Sequence, residues 1–307
     1  MKAKTFKAYL KSLGRSENTI ESYNNYLLDF MSLLDNDQST VAKATTQEVT
    51  RYLEKLSRKR LENKTKYIRL NSLQHYYNWQ IQLGNRDDNP VKPIKIRGTR
   101  TRKLYDIFSM QELEQLYYGY EIPQEDDPRH RRNWWQEHLL TRRRNKVMLG
   151  LIIYQGLTTA EIDRITADDL QLRKGNIFIR GGRKSNERIL ELKSHQIMEL
   201  MEYQLQTRPE LLRLAGKETT QLFASKGKNV QSNHNWKNLS QVLKETHKKF
   251  KNFKQVRASV ITHWLGIYNL REVQYMAGHR YVSSTENYFI NRLEDLQNDI
   301  DKYHPRG

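Results

Sequence analysis

The sequence predicts a mainly α-helical fold with one small β-hairpin or sheet, an α+β arrangement in two parts. Three observations predict it. Apolar residues recur at helical spacing through most of both halves. One pair of β-rich runs flanks Gly181–Gly182. A basic, proline-containing stretch without periodicity separates the halves. The parts read as residues 1–90, a linker over 91–104, and 105–307.

In the first part, TFKAYLKSLG closes on Gly14, a residue suited to the left-handed position after a helix. SENTIESYNNYLLDFMSLL sets Ile20, Tyr23, Leu27, Phe30 and Leu33 along one side. In TTQEVTRYLEKLSRK, Thr46 is the expected N-cap, with Val49, Leu53 and Leu56 inward. NKTKYIRLNSLQHYYNWQIQLG continues through Tyr67, Leu70, Leu73, Tyr77 and Ile81 to Gly84. Helices with such short links make a bundle, with Tyr76, Tyr77 and Trp79 in its core. NRDDNPVKPIKIRGTRTRK then holds two prolines, one glycine and seven Lys or Arg residues, the composition of a linker able to track phosphates.

The second part opens at Ser109 and Glu112, a capping box. RNKVMLGLIIYQG is the most apolar helix and belongs at the centre. After TTAEIDRITADDL comes GNIFIRGGRKSNERILEL, read as a β-hairpin, and helices resume from SHQIMELMEYQLQ. KNFKQVRASVITHWLGIYNL lines Val256, Val260, Ile261 and Leu265 along one side. It also places Lys254 and Arg257 three apart on one face, where they could clamp a phosphate. NLREVQYMAG, with Leu270, Val273, Met276 and Ala277 inward, stops at Gly278. Ser283 and Glu286 read as a further capping box opening a helix. Tyr288 would then sit early in that helix and His279 in the turn before it, both near N–H groups that favour an anion.

Charge narrows the function. Lys and Arg number 53 against 35 Asp and Glu, a net +18 that calls for a polyanionic partner such as nucleic acid. No apolar run is long enough to span a membrane, and the N-terminus lacks the apolar stretch of a signal peptide, so a cytoplasmic location is expected, on the nucleoid when DNA is bound. The absence of cysteine excludes disulfides, thiol catalysis and thiolate metal sites. The histidines lack metal-ligand spacing and no Gly-rich phosphate loop is present, so neither cofactor nor metal is expected.

Lys254-x-x-Arg257, then Gly278-His279, then a tyrosine nine residues after that histidine together resemble the catalytic half of the tyrosine recombinases of the phage-integrase type. On that resemblance, Tyr288 is the nucleophile, Lys254 and Arg257 form the His/Lys-x-x-Arg motif, and His279 ends the third motif in MAGH. Lys184 in GGRKSNER is the hairpin lysine, with Arg183 its competitor. YQGLTTAEI matches the first motif through its apolar helix, Gly-Leu and Glu161. The N-terminal half is similar to the family's helical core-binding domain, with Asn89–Pro90 at its boundary. The resemblance implies a C-shaped clamp on double-stranded DNA, with Asn18, Thr19 and Tyr23 on the second helix and Lys64, Lys66 and Arg69 on the fourth as contacts. It implies a site-specific recombinase or integrase of a mobile element, working through a 3′-phosphotyrosyl intermediate without ATP or metal. Arg257 and Lys254 would stabilise phosphate charge, Lys184 would protonate the leaving oxygen, and His279 would hold the phosphate and help deprotonate Tyr288. The tail stripe Ile290, Leu293, Leu296 and Ile300 would join copies into a homo-tetramer on paired sites, or dock on its own domain.

One position departs from the pattern. Where the family has its first arginine, this chain has Thr158. Arg164, six residues on, falls about 240° around an ideal helix and should point elsewhere. Arg142, Arg143, Arg144, Arg180 and Arg183 are the candidate replacements. Two readings follow: an enzyme that draws its arginine from elsewhere, or a DNA-binding protein of the same fold with impaired catalysis. A type IB topoisomerase shares a similar constellation, but the tail stripe and the small helical N-terminal domain argue against it.

Overall fold

The structure, a computed structural model, describes residues 5–34, 41–98, 105–124, 127–183, 185–216, 218–223 and 233–289. The chain divides into two compact units, Met1–Lys103 and Leu104–Gly307.

The first unit is a helical bundle of α1 (Phe6–Ser12), α2 (Glu17–Leu34), α3 (Thr46–Arg58) and α4 (Asn63–Leu83). Its core takes Ile20, Tyr23, Leu27, Phe30 and Leu34 from α2, Val49, Tyr52 and Leu56 from α3, and Leu70, Leu73 and Tyr77 from α4. Tyr76 and Trp79 pack on Phe6 beside them, with ring centroids 5.5 and 5.7 Å away. Two sequence expectations shift here. Thr45, not Thr46, precedes α3, and its N–H donates to the Glu48 carboxylate at 2.5 Å. Tyr67 is 50% exposed rather than inward, because at about 100° per residue it lies roughly 90° from the mean direction of Leu70, Leu73 and Tyr77.

The second unit is built around α6 (Trp135–Gln155), whose run from Val147 to Ile153 is buried throughout. Around it stand α5 (Met110–Tyr118), α8 (Ser194–Glu202), α9 (Arg208–Ala215) and α11 (Phe253–Ile267). The Ser109–Glu112 capping box opens α5 as expected: Ser109 accepts from the Glu112 N–H at 3.1 Å and returns its own N–H to the carboxylate at 2.7 Å. A single turn, α7 (Thr159–Ile162), follows α6. The hairpin is part of an antiparallel sheet in the order β1 (Leu170–Gln171), β2 (Asn176–Ile179), β3 (Arg188–Glu191). Its register sets Ile177 opposite Leu190 and Ile179 opposite Arg188. The unit continues with α10 (Asn233–Thr246), α12 (Leu270–Ala277) and α13 (Val282–Glu286).

Gly156 and Gly278 end α6 and α12 at φ of +57° and +66°, where a Cβ is strained. The chain beyond Gly278 differs from expectation. Helix α13 starts at Val282, so Ser283 lies inside it and caps nothing. Tyr288 therefore follows α13 in a turn, its N–H on the Thr285 carbonyl at 3.0 Å, and does not lie early in a helix opened by Ser283. Among the described residues, no helix is long and apolar enough to cross a membrane.

Candidate active site

Arg257 sits in the second turn of α11 and its side chain is enclosed. One guanidinium nitrogen, Nη1, donates to the Gly156 carbonyl at the end of α6. The other, Nη2, donates to the Ala277 carbonyl at 2.7 Å and faces His279 Nε2 at 3.3 Å. A guanidinium cannot accept, so Nε2 must be the acceptor and the imidazole proton resides on Nδ1. That proton points to Thr285 Oγ1, 2.9 Å away and fully buried. Thr285 reaches this position because α13 begins early, which is what displaces the expected cap. Burial, followed by the charges of Arg257 and Arg188, pushes the His279 pKa down to about 4, so the ring is neutral near pH 7.

The Tyr288 ring stacks on that imidazole, centroids 5.7 Å apart and planes 12° from parallel. Burial raises the phenol pKa, while the charge of Arg257 and a hydrogen bond from it work in the opposite direction. Burial pulls the Arg257 pKa down, and Glu161 and Tyr288 hold it up; an arginine so placed stays protonated. The structure thus brings Arg257, His279 and Tyr288 into one cluster.

Beneath them lies a carboxylate shared by two arginines. Glu161 Oε1 accepts from Arg188 Nη1 at 2.8 Å, and Oε2 lies 3.8 Å from Arg257 Nη1. Thr158 holds the same carboxylate: its N–H and hydroxyl donate to Oε2 at 2.9 and 2.8 Å, and its Oγ1 accepts the Glu161 N–H at 3.2 Å. Burial tends to raise the Glu161 pKa, but Arg188, Arg257 and the Thr158 N–H outweigh it and hold the carboxyl below its usual range. Arg188 arrives from β3 and also donates from Nε to the Met276 carbonyl at 2.8 Å. Its guanidinium lies so close under Gly278 that a Cβ there would meet Nη1 at 2.1 Å. Glycine at 278 is therefore required twice, by its backbone angle and by Arg188. The hairpin is tied to the same turn through Asn186 N–H on the Gly278 carbonyl at 3.0 Å and an antiparallel bridge between Ser185 and His279.

The remaining candidates disperse. Lys254 is exposed one turn before Arg257, and Lys184 lies outside the described residues, as does the tail stripe Ile290, Leu293, Leu296 and Ile300. None of the proposed arginine replacements joins Arg257. Arg142 donates to the Glu121 carbonyl at 3.0 Å and covers Tyr120, Arg143 lies 3.6 Å from Glu202, and Arg144 is buried against Asn145. All three lie well back along α6, about 18 Å or more from Gly156 at 1.5 Å per residue. Arg180 pairs with Asp169 at 3.0 Å. Arg183 is exposed at the hairpin tip, its carbonyl accepting from Arg280 at 3.3 Å. Arg164 follows a helix of one turn, so the helical-wheel argument does not apply; its guanidinium rests against Gly182 in the hairpin.

In the first unit, two expected DNA contacts are structural instead. Tyr23 is 6% exposed, stacked on His75 and accepting from Asn71 at 2.9 Å. Arg69 is drawn inward by Asp29 at 2.5 Å and lies over the Tyr26 ring. Lys64 and Asn18 are exposed, Thr19 bonds Ser16, and Lys66 donates to Ser57 at 3.2 Å. Among the described residues, no group of three or more His, Asp or Glu side chains is placed to hold a metal ion.

The model of the phage integrase family matches residues 138–294, and that of the phage integrase N-terminal SAM-like domain matches residues 3–84. Tyrosine recombinase XerD of Shewanella oneidensis is 26% identical over 302 residues, covering 96% of this chain and 93% of that protein. Among solved structures, XerH recombinase bound to its difH substrate shares the fold with a TM-score of 0.67 at 18% identity, over 95% of this chain and 82% of that one. A lambda integrase tetramer bound to a Holliday junction gives 0.63 at 14% identity, over 92% and 74%.

Proposed function

The chain belongs to the phage integrase family, and from that membership we propose that it is a site-specific DNA recombinase that cleaves and rejoins strands through Tyr288. The observation that carries the assignment of residues is the stacking of Tyr288 on a neutral His279 that is itself held by buried Arg257.

The chemistry follows from those groups. The Tyr288 oxygen attacks the scissile phosphorus; an O–P bond forms to the tyrosine as the P–O5′ bond breaks. The leaving electron pair stays on O5′, which takes up a proton, and the 3′-phosphate remains on the protein. Tyrosine is a weak nucleophile while protonated, and burial here strengthens that hold. His279 Nε2 carries no proton and is assigned the phenol proton, which requires it to exchange its 3.3 Å contact with Arg257 for the Tyr288 hydroxyl when DNA is bound. Arg257, fixed by two carbonyls, meets the charge developing on the non-bridging oxygens without having to reorganise. Lys254 is assigned a phosphate oxygen and Lys184 the proton for O5′. Rejoining reverses these steps.

Duplex DNA is the partner, supported by the net charge of +18. Asn18, Thr19, Lys64 and Lys66 remain the proposed contacts of the first unit. Assembly into a tetramer on paired sites belongs to the proposal, supported by the tetrameric state of the lambda integrase neighbour. A cytoplasmic location and origin in a mobile element belong to it as well.

The test is a nicked suicide duplex bearing the site this chain selects from a random-sequence pool. A covalent protein–DNA band on a denaturing gel, absent in Tyr288→Phe, is the expected result. Selective binding with no band in the unaltered chain would overturn the enzymatic reading in favour of a DNA-binding remnant.

A further inference from the structure

Thr158 stands where the first motif places an arginine, and it spends its hydroxyl and N–H on Glu161. The guanidinium that Glu161 receives comes instead from a strand. Arg188 lies opposite Ile179 in the sheet register, so its side chain enters the unit on the buried face of β3. There it shares Glu161 with Arg257, one arginine on each carboxylate oxygen. Each arginine also holds a carbonyl of the turn that carries His279, Arg188 at Met276 and Arg257 at Ala277. The Arg188 side chain has no exposed surface, and its Nη2 is enclosed with no hydrogen-bond partner among the described residues. Buried guanidinium donors are ordinarily satisfied, so an unfilled one beside a phosphate-handling cluster marks a place for an acceptor. Enclosure does not set Arg188 apart, because Arg257 is nearly as enclosed.

We propose that Arg188 supplies the second positive charge of the phosphate site, with Nη2 as its donor to a non-bridging oxygen, in place of an arginine at position 158. The proposal rests on the recombinase reading above. It also explains why one carboxylate sits between two guanidinium groups: Glu161 neutralises one charge and leaves the other for the phosphate.

The experiment uses the full chain with Arg188→Met and Arg188→Lys. The unaltered chain's adduct on its selected suicide duplex maps the scissile phosphate. A second duplex carries a methylphosphonate there, which removes the charge of a non-bridging oxygen. On the phosphodiester, Arg188→Met should slow adduct formation by on the order of 10²–10³-fold, with duplex affinity within about threefold of the parent. On the methylphosphonate, its deficit relative to the parent should shrink by at least about tenfold, because the missing charge is no longer needed. Arg188→Lys should fall between Met and the parent on the phosphodiester. Equal deficits on both duplexes would overturn the proposal and leave Arg188 as a pin for Glu161 and the Met276–Gly278 turn. Parent-like rates in Arg188→Met would overturn it too. If the Met variant does not fold, the Lys variant decides by the same ratio. No adduct from the unaltered chain on either duplex would bring down the recombinase reading itself, a result distinct from failure of Arg188 alone.

Discussion

The Asp29–Tyr52–Arg69 cluster of the first unit and the Glu161–Arg188–Arg257–Tyr288 cluster of the second use the same residue types. In the first, one carboxylate oxygen of Asp29 accepts from Tyr52 at 2.8 Å and from Arg69 at 2.5 Å. One acid meets one guanidinium, and the tyrosine hydroxyl points at the acid, so it is held as a neutral donor; burial, foremost, raises its pKa. In the second, one acid serves two guanidinium groups, and the tyrosine stacks on a neutral histidine instead. The first cluster balances one carboxylate against one guanidinium, although Arg69 Nε is buried without a partner among the described residues. The second has positive charge left over. Residue type therefore does not distinguish a structural network from a site; the ratio of charges and the partner of the tyrosine do.

The largest expected effect isolates the two tyrosines. Tyr288→Phe should reduce adduct formation by at least about 10³-fold with DNA affinity unchanged, since the nucleophile is gone. Tyr52→Phe should leave adduct formation intact, and a comparable loss there would break the comparison. Next come the acids. Glu161→Gln leaves two enclosed guanidinium groups without their counter-charge and should cost about 3–5 kcal/mol in denaturant unfolding of the full chain. Asp29→Asn, in a pair whose side chains keep 19% and 27% exposure, should cost only about 1–2 kcal/mol. Similar costs would show that both clusters are structural.

The pH response sharpens the contrast further. His279 has its folded pKa pushed down from 6.5 to about 4, so the unfolded chain binds the extra proton first as pH falls. Its contribution to stability is therefore complete above about pH 6.5 and is lost on descending towards pH 4. Removing it in His279→Gln should flatten the acid loss over that interval by about 3 kcal/mol, measured by unfolding at successive pH values. The smallest effect concerns DNA. Lys64→Gln should lower the slope of log affinity against log salt by about 1, and Arg69→Gln should leave it unchanged while costing stability. A slope change at Arg69 would reopen it as a phosphate contact.

Much of the architecture is legible in the chain alone. Helical spacing, the Ser109–Glu112 cap and the glycines at 14, 84 and 278 locate elements because they are local rules of sterics and backbone bonding. The grouping of Arg257, His279 and Tyr288 into one site came from the resemblance of their motifs to the tyrosine recombinases rather than from a local rule. A local sign of Glu161 was present as well: Thr-x-x-Glu at 158–161 is a capping-box pattern, and the structure forms that box.

What the chain alone leaves open is which of two locally equal choices the packing takes. Arg188 and Ile189 are adjacent in β3, and a two-residue period allows either to face inward; only pairing with β2 buries the arginine and leaves Ile189 48% exposed. Arg69 looks like an outward cation until Asp29, from a helix 40 residues earlier, turns it in. Ser283 has a cap pattern, but α13 starts one residue earlier, at Val282, and so places Thr285 against His279. Local sterics and periodicity are written in the sequence, whereas the partner of a buried charge is chosen by elements that meet only after folding.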